Sequence, residues 1–310
     1  MSQPDPEAIL RRIEWTVLRR LDGVFQGGYR TLFRGEGLDL ADLREYQPRD
    51  DVRHIDWNVT ARLGTPYVRE FHEDREITAW FLLDVSPSVD FGSQDRNKEG
   101  VLVEFVAILA RLLTRNGNRV GAIFFDSELA SVIPPGGGRN RVLQILKRLD
   151  APRTPGNAEV TDLGALLTGA GRIMQRRSYV FVVSDFISRP GWGPSLMNLA
   201  RRHEVLAVRL FDPLEMALPD LGLVVMQDAE TGEQVLVDTH DPGFRERFQS
   251  AAAEREAELR ETLTHAGVDA LELSTADDPV EAILRFADLR KTRNRVASHR
   301  ALPTHLEVGR

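Results

Sequence analysis

The sequence contains no cysteine. That excludes a disulfide scaffold, thiolate zinc sites, iron–sulfur ligation and a cysteine nucleophile together, and it suits a reducing compartment. A long apolar run is also missing. The longest stretch without a charged residue, 190–200, is about half the length of a membrane helix, and Pro190, Gly191, Gly193 and Pro194 interrupt it. Residues 1–7 lack the basic-then-apolar order of a signal peptide. No membrane insertion is expected, and the expected location is the cytoplasm.

Several catalytic signatures are absent too. The histidines are scattered, and His72-Glu73 has no second histidine four residues on, so there is no zinc-protease motif. No Gly-x-Ser-x-Gly elbow occurs. The run Pro134-Pro135-Gly136-Gly137-Gly138-Arg139 lacks the Gly-Lys-Ser/Thr ending of a phosphate-binding loop and reads as a turn. A haloacid-dehalogenase-type phosphatase would carry a second aspartate two residues after Asp84, where Ser86 stands.

What is present is an ordinary globular composition, 42% hydrophobic and 28% charged over 310 residues, with room for a substantial core. The net charge of −7 argues against a general nucleic-acid binder. Basic residues gather only at the end, where Arg290, Lys291, Arg293, Arg295, Arg300 and Arg310 face a single acid, Glu307. That pattern reads as a solvated tail.

Periodicity divides the chain. Ile9, Ile13, Val17, Leu18 and Leu21 recur at helical spacing, a charge-dense stretch follows, and a strand is expected at 67–71. From Ile77 onward apolar strands alternate with amphipathic helices. The short run 77–83 ends in Asp84, and 178–184 ends before Asp185. The expected class is α/β, a mainly parallel sheet with helices on both faces, plus a smaller amino-terminal subdomain. The expected divisions are an amino-terminal subdomain at 1–75, an α/β core at 76–212, a carboxyl-terminal β/α extension at 213–290 and a basic tail at 291–310.

In open α/β sheets ligands gather at the carboxyl ends of the strands. Three segments there carry oxygen donors: Asp84-x-Ser86-x-Ser88, Thr161, and Asp185. Two carboxylates and three hydroxyls form an all-oxygen set, suited to a small hard cation such as Mg2+. Because the hydroxyls are neutral, a bound ion keeps net positive charge and can accept a carboxylate from another molecule. Alternative roles are local, with Asp84 in a turn and Thr161 as a helix N-cap.

This set of residues resembles the metal-ion-dependent adhesion site of von Willebrand factor A domains. Ala158-Glu159-Val160 precede Thr161 and Phe186 follows Asp185, where that site commonly carries glycines. Upstream, Arg44-Glu45-Tyr46-Gln47-Pro48-Arg49-Asp50-Asp51-Val52-Arg53-His54-Ile55-Asp56-Trp57, with Ala61-Arg62 and Val68-Arg69-Glu70-Phe71, resembles the signature of the domain of unknown function 58 family. In that family the signature precedes a von Willebrand factor A-like domain.

The resemblance implies a non-enzymatic protein-interaction module. Mg2+ or another divalent cation would sit on Asp84, Ser86, Ser88, Thr161 and Asp185. The implied partner is a MoxR-type AAA+ ATPase, served as an adaptor in protein complex assembly or maturation. A metal-dependent hydrolase or phosphotransferase on the same oxygen cluster is the alternative. Within the signature, Arg44, Arg53, Arg62 and Arg69 can pair with Glu45, Asp50, Asp51, Asp56 or Glu70 around Tyr46, Ile55, Trp57 and Phe71. Those residues form either a structural ion-pair network or a partner-recognition surface.

Overall fold

The apolar run that ends at Asp84 lies in the middle of a seven-stranded sheet. The structure, a computed structural model, describes residues 5–12, 42–47, 50, 52, 55–70, 77–92, 96–125, 129–151, 161–227, 234–296 and 305–306. The chain forms two compact units, one of Met1–Phe33 with Ile77–Arg310 and the other of Arg34–Glu76.

In chain order the helices are α1 (Pro6–Arg12), α2 (Trp57–Leu63), α3 (Lys98–Arg115), α4 (Gly138–Leu149), α5 (Leu163–Ile173), α6 (Gly193–Arg202), α7 (Pro213–Met216), α8 (Pro242–Ala266) and α9 (Pro279–Val296). The strands are β1 (Asp42–Glu45), β2 (Tyr67–Glu70), β3 (Thr78–Asp84), β4 (Arg119–Phe125), β5 (Leu129–Gly136), β6 (Tyr179–Ser184), β7 (Glu204–Phe211), β8 (Leu223–Gln227), β9 (Gln234–Asp238), β10 (Asp269–Ser274) and β11 (His305–Leu306).

The main sheet runs in the order β11-β10-β7-β6-β3-β4-β5. Every pairing in it is parallel except that of β5 with β4. The expected α/β class is the one observed. Alternate residues of β3 face opposite ways, which is why its run is continuously apolar. Phe81 and Leu83 join Phe105, Phe124, Phe181 and Phe286 on the face covered by α3, α4 and α9. Trp80 and Leu82 join Ile123, Leu166, Val182 and Leu196 on the face covered by α5, α6 and α8. Full burial of each such side chain contributes about 1.5–3 kcal/mol.

Gly121 is dictated by packing. A Cβ there would lie 2.9 Å from the Ile133 carbonyl oxygen and 3.0 Å from the Trp80 ring, beside the register shift between β4 and β5. Residues 193–202, which the pattern assigned to no element, form α6. Pro194 stands in its first turn, where a missing N–H costs nothing.

The boundaries differ from the expected division. Helix α1 belongs to the α/β unit, with Leu10 buried in the core and Glu7 paired with Arg139 of α4 at 3.5 Å. The segment 213–290 is no separate extension, because β10 pairs along β7 in the main sheet and Ile283 and Phe286 of α9 enter the core. Among the described residues of this segment, β8 and β9 form an antiparallel pair outside the main sheet. Residues 291–296, expected in the tail, continue α9.

In the second unit β1 pairs antiparallel with β2, placing Arg44 opposite Val68 and Glu45 opposite Tyr67. Asp56 caps α2 by accepting from the backbone N–H groups of Asn58 at 3.0 Å and Val59 at 3.2 Å. Gly64, at φ 76°, closes that helix in the left-handed conformation that glycine adopts without penalty.

Candidate functional site

The site begins where β3 ends. The Val85 N–H donates to the Phe125 carbonyl at 2.7 Å, carrying the ladder one residue past Asp84. The chain then turns: Asp84 Oδ1 accepts from the Ser86 N–H at 3.0 Å, and a single 3-10 turn, Pro87–Asp90, follows. Ser86 is its extended N-cap residue and Pro87 opens it. The turn sets Ser86 Oγ 3.0 Å from Ser88 Oγ. Asp84, Ser86 and Ser88 are all buried.

Strand β6 runs beside β3 in parallel, with Leu83 opposite Val183. Asp84 therefore neighbours Ser184, whose hydroxyl donates to Asp84 Oδ2 at 2.6 Å and accepts from the Phe186 N–H at 2.9 Å. Asp185 Oδ1 accepts from the Ile187 N–H at 3.0 Å. Between these two, Phe186 adopts φ 60° and packs its ring 5.5 Å from that of Trp192. The left-handed conformation that glycine would supply at this step is thus held by a buried phenylalanine.

The backbone of Thr161 is tied to the loop that follows Asp185. Its carbonyl accepts from the Ser188 hydroxyl at 2.8 Å and from the Arg189 N–H at 3.0 Å. The N-cap of α5 is Asp162, which accepts from the Ala165 N–H at 2.9 Å, so Thr161 does not fill the capping role considered for it.

Burial, and then the negative charge of Asp185, push the Asp84 carboxyl up to about 6, against the hydroxyl and N–H donors of Ser184 and Ser86. Lys98, at the first position of α3, brings the opposite charge. Its ammonium donates to Asp185 Oδ2 at 2.8 Å and to Glu215 Oε1 at 2.7 Å, and its side chain is 1% exposed. Burial alone would lower its pKa, but Asp185 and Glu215 outweigh that and raise it, so the ammonium is charged. Glu215 is fixed by a capping box on α7, in which Glu215 Oε2 accepts from the Asp212 N–H at 3.0 Å.

The pattern of residues pointed to Asp84, Ser86, Ser88, Thr161 and Asp185. It did not point to Ser184, Lys98 or Glu215. Ser184 was findable as the last polar residue of β6, whereas Lys98 and Glu215 join the site only through tertiary folding. Among the described residues no three acidic or histidine side chains converge as a metal-ligand set. Any affinity for a cation therefore depends on the hydroxyls. Ser86 Oγ and Ser88 Oγ share a hydrogen bond at 3.0 Å, a separation close to an octahedral edge of about 2.9 Å for Mg2+–oxygen bonds of about 2.0–2.1 Å. The donors fit a small hard divalent ion.

The signature residues belong to the second unit. Asp56 is a helix cap, Asp50 Oδ2 accepts from the Gln47 N–H at 2.8 Å, and Arg62 is exposed in the last turn of α2. Trp57, expected as an apolar anchor, is 68% exposed. Arg44 lies within β1. Asp51 and Arg53, with Arg49 and Phe71, lie outside the described residues.

A mainly parallel α/β sheet with an oxygen cluster at the carboxyl ends of two central strands defines the class of protein. The chain belongs to the family described as Protein of unknown function DUF58, which matches residues 42–258. It is 36% identical over 300 residues to the uncharacterized protein Rv1480 of Mycobacterium tuberculosis strain H37Rv, covering 96% of this chain and 94% of that one. Similar solved structures include an aerotolerance-related membrane protein from Bacteroides fragilis, with TM-score 0.47 and 13% identity over 70% of this chain and 99% of that one. The SpRpn10 VWA domain gives TM-score 0.39 and 10% identity over 68% of this chain and 94% of that domain. Among the described residues no helix is long and apolar enough to cross a membrane.

Proposed function

We propose that this chain is a non-enzymatic, metal-dependent protein-interaction module that acts in the cytoplasm. In this reading it is an adaptor for a MoxR-type AAA+ ATPase during protein complex assembly or maturation. The observation that carries the metal reading is the hydroxyl pair of Ser86 and Ser88, 3.0 Å apart beside Asp84 at the end of β3. The resemblance of the signature around Tyr46 and Trp57 supports the choice of partner.

In this reading Ser86, Ser88 and Thr161 hold Mg2+ through their hydroxyls, and Asp84 and Asp185 hold it directly or through water. Bound there, the ion supplies an open Lewis-acidic position for a glutamate or aspartate of the partner. Ser184 and the Ser86 N–H orient the Asp84 carboxylate and oppose its protonation. Exposed Pro87, Phe91 and Ile187 flank the buried oxygens and offer apolar contact around a docking carboxylate.

The hydrolase reading needs a deep pocket centred on the oxygen cluster. A cleft of about 480 Å³ does open beside Asp185, lined also by Trp192, Arg209, Glu215 and Leu259. Asp84, Ser86, Ser88 and Thr161 do not line it.

Titration calorimetry with Mg2+ tests the site: binding to the wild-type chain is expected, with its loss in Asp84→Ala and Ser86→Ala. Capture of a MoxR-type ATPase is expected to fail when a chelator is added. Undiminished capture under chelation would refute metal-mediated docking.

A further inference from the structure

We infer that Lys98 is a built-in counter-cation, which competes with a divalent ion for Asp185 and keeps the metal affinity of this site low. The inference rests on the proposed metal site and goes beyond it, by assigning a role to a residue that is not a ligand. Its ammonium is wholly buried and touches both Asp185 and Glu215 at hydrogen-bonding distance. The ring of Phe91, 5.8 Å from that ammonium, lies against it.

Helix formation does not account for this lysine. It stands in the first turn of α3, at the positive end of the helix dipole, where a cation is unfavourable. The capping work is done by Asn97, which accepts from the Gly100 N–H at 2.9 Å. Lysine is also scarce here: Lys98, Lys147 and Lys291 are the three among 40 basic residues. A compact ammonium can lie between two carboxylates where the flat, five-donor guanidinium would need a broader set of acceptors.

The consequence for a metal follows from charge. Asp84 and Asp185 are the anionic donors of the cluster, and Lys98 already neutralises Asp185. An incoming divalent ion must share that carboxylate with the ammonium and meets its repulsion at short range. Removing the lysine leaves Asp185 and Glu215 with no ammonium between them, so the metal becomes their counter-ion. An ion held loosely for this reason binds more tightly when a partner carboxylate adds negative charge, and by linkage the partner binds more tightly to the loaded site.

The test is calorimetric titration of Mg2+ into the full chain, with thermal unfolding measured in chelator and in Mg2+. Lys98→Met is expected to bind Mg2+ about tenfold more tightly or better, with a larger Mg2+-dependent rise in melting temperature than wild type. Glu215→Gln, which leaves the ammonium to Asp185 alone, is expected to bind Mg2+ more weakly. In the Lys98→Met background the Glu215→Gln effect should shrink. If wild type binds Mg2+ while Lys98→Met binds it equally or less well, the competition is refuted and the metal site stands. Should Lys98→Met fail to fold, equal or tighter binding by Glu215→Gln refutes it instead. If neither wild type nor Lys98→Met binds Mg2+, the metal reading falls and takes this inference with it. Tighter binding by Lys98→Met that survives Asp84→Ala would mark a new Asp185–Glu215 site and overturn the inference.

Discussion

Ser184 and Asp84 are 100 residues apart in the chain and share a 2.6 Å hydrogen bond, donated by the serine hydroxyl to Oδ2 of the aspartate. Parallel pairing of β3 with β6 brings them together, and the bond favours the ionised carboxylate that burial disfavours. Ser184→Ala should lower stability by about 1–3 kcal/mol, the usual cost of stripping a buried charged group of one donor. Urea unfolding measures that loss. Mg2+ affinity should fall with it, because less of Asp84 is then ionised near neutral pH.

Asp84 carries a charge that its surroundings oppose. Asp84→Asn keeps the local hydrogen bonds possible, since its carbonyl can accept from the Ser86 N–H while its amide donates to the Ser184 hydroxyl. The neutral variant should be more stable than wild type by roughly 1–2 kcal/mol in the presence of a chelator. It should also lose its response to Mg2+. A melting temperature at or below that of wild type in chelator would contradict a strained carboxylate.

Phe186 sets backbone strain against packing. At φ 60° a side chain costs about 1–2 kcal/mol that glycine does not, while the buried ring packs on Trp192. Removing the ring should cost about 3–5 kcal/mol, so both Phe186→Gly and Phe186→Ala should be destabilised. Their order is the informative result. Alanine normally exceeds glycine in stability by about 0.5–1 kcal/mol within regular structure, and at this position glycine should be the more stable of the two in chemical denaturation.

His203 supplies a pH dependence away from the site. It is buried at the end of α6, neither ring nitrogen has a hydrogen-bond partner among the described residues, and burial lowers its pKa from 6.5. Nearby Arg202 and Arg177 act in the same direction. The unfolded chain therefore takes up a proton that the folded chain resists, so stability falls as pH drops through 6.5 and below. His203→Phe should flatten the stability profile between roughly pH 7.5 and 5, by no more than about 1.4 kcal/mol per pH unit. An unchanged slope would mean that His203 does not report the acid-side loss.

The parts of this protein legible without a structure are those written in short spacings. The short apolar run 77–83, followed by aspartate, marked β3 as a doubly covered strand, and apolar stripes between the strands marked amphipathic helices. The i, i+2, i+4 spacing of Asp84, Ser86 and Ser88 placed three oxygens in one turn. Where reading by pattern went astray, longer contacts decided. Helix α1 looked like part of a separate module, yet Leu10 is buried in the core of the α/β unit. The segment after residue 212 looked like an appendage, yet β10 lies along β7. Trp57 looked like an anchor, yet it is exposed.

The sequence by itself determined most of the elements and named candidate oxygen donors, because strand and helix periods, and the turn after β3, are interactions over a few residues. Tertiary structure alone decided which donors meet and what charge they meet with. The β3–β6 pairing put Ser184 and Asp185 beside Asp84, the start of α3 delivered Lys98 to Asp185, and the short helix α7 delivered Glu215 to the same ammonium. No local pattern distinguishes a lysine that ends in solvent from one that ends between a buried and a half-buried acid. The difference lies in the Coulomb energy of groups 87 and 117 residues apart in the chain, which exists only once the sheet has closed.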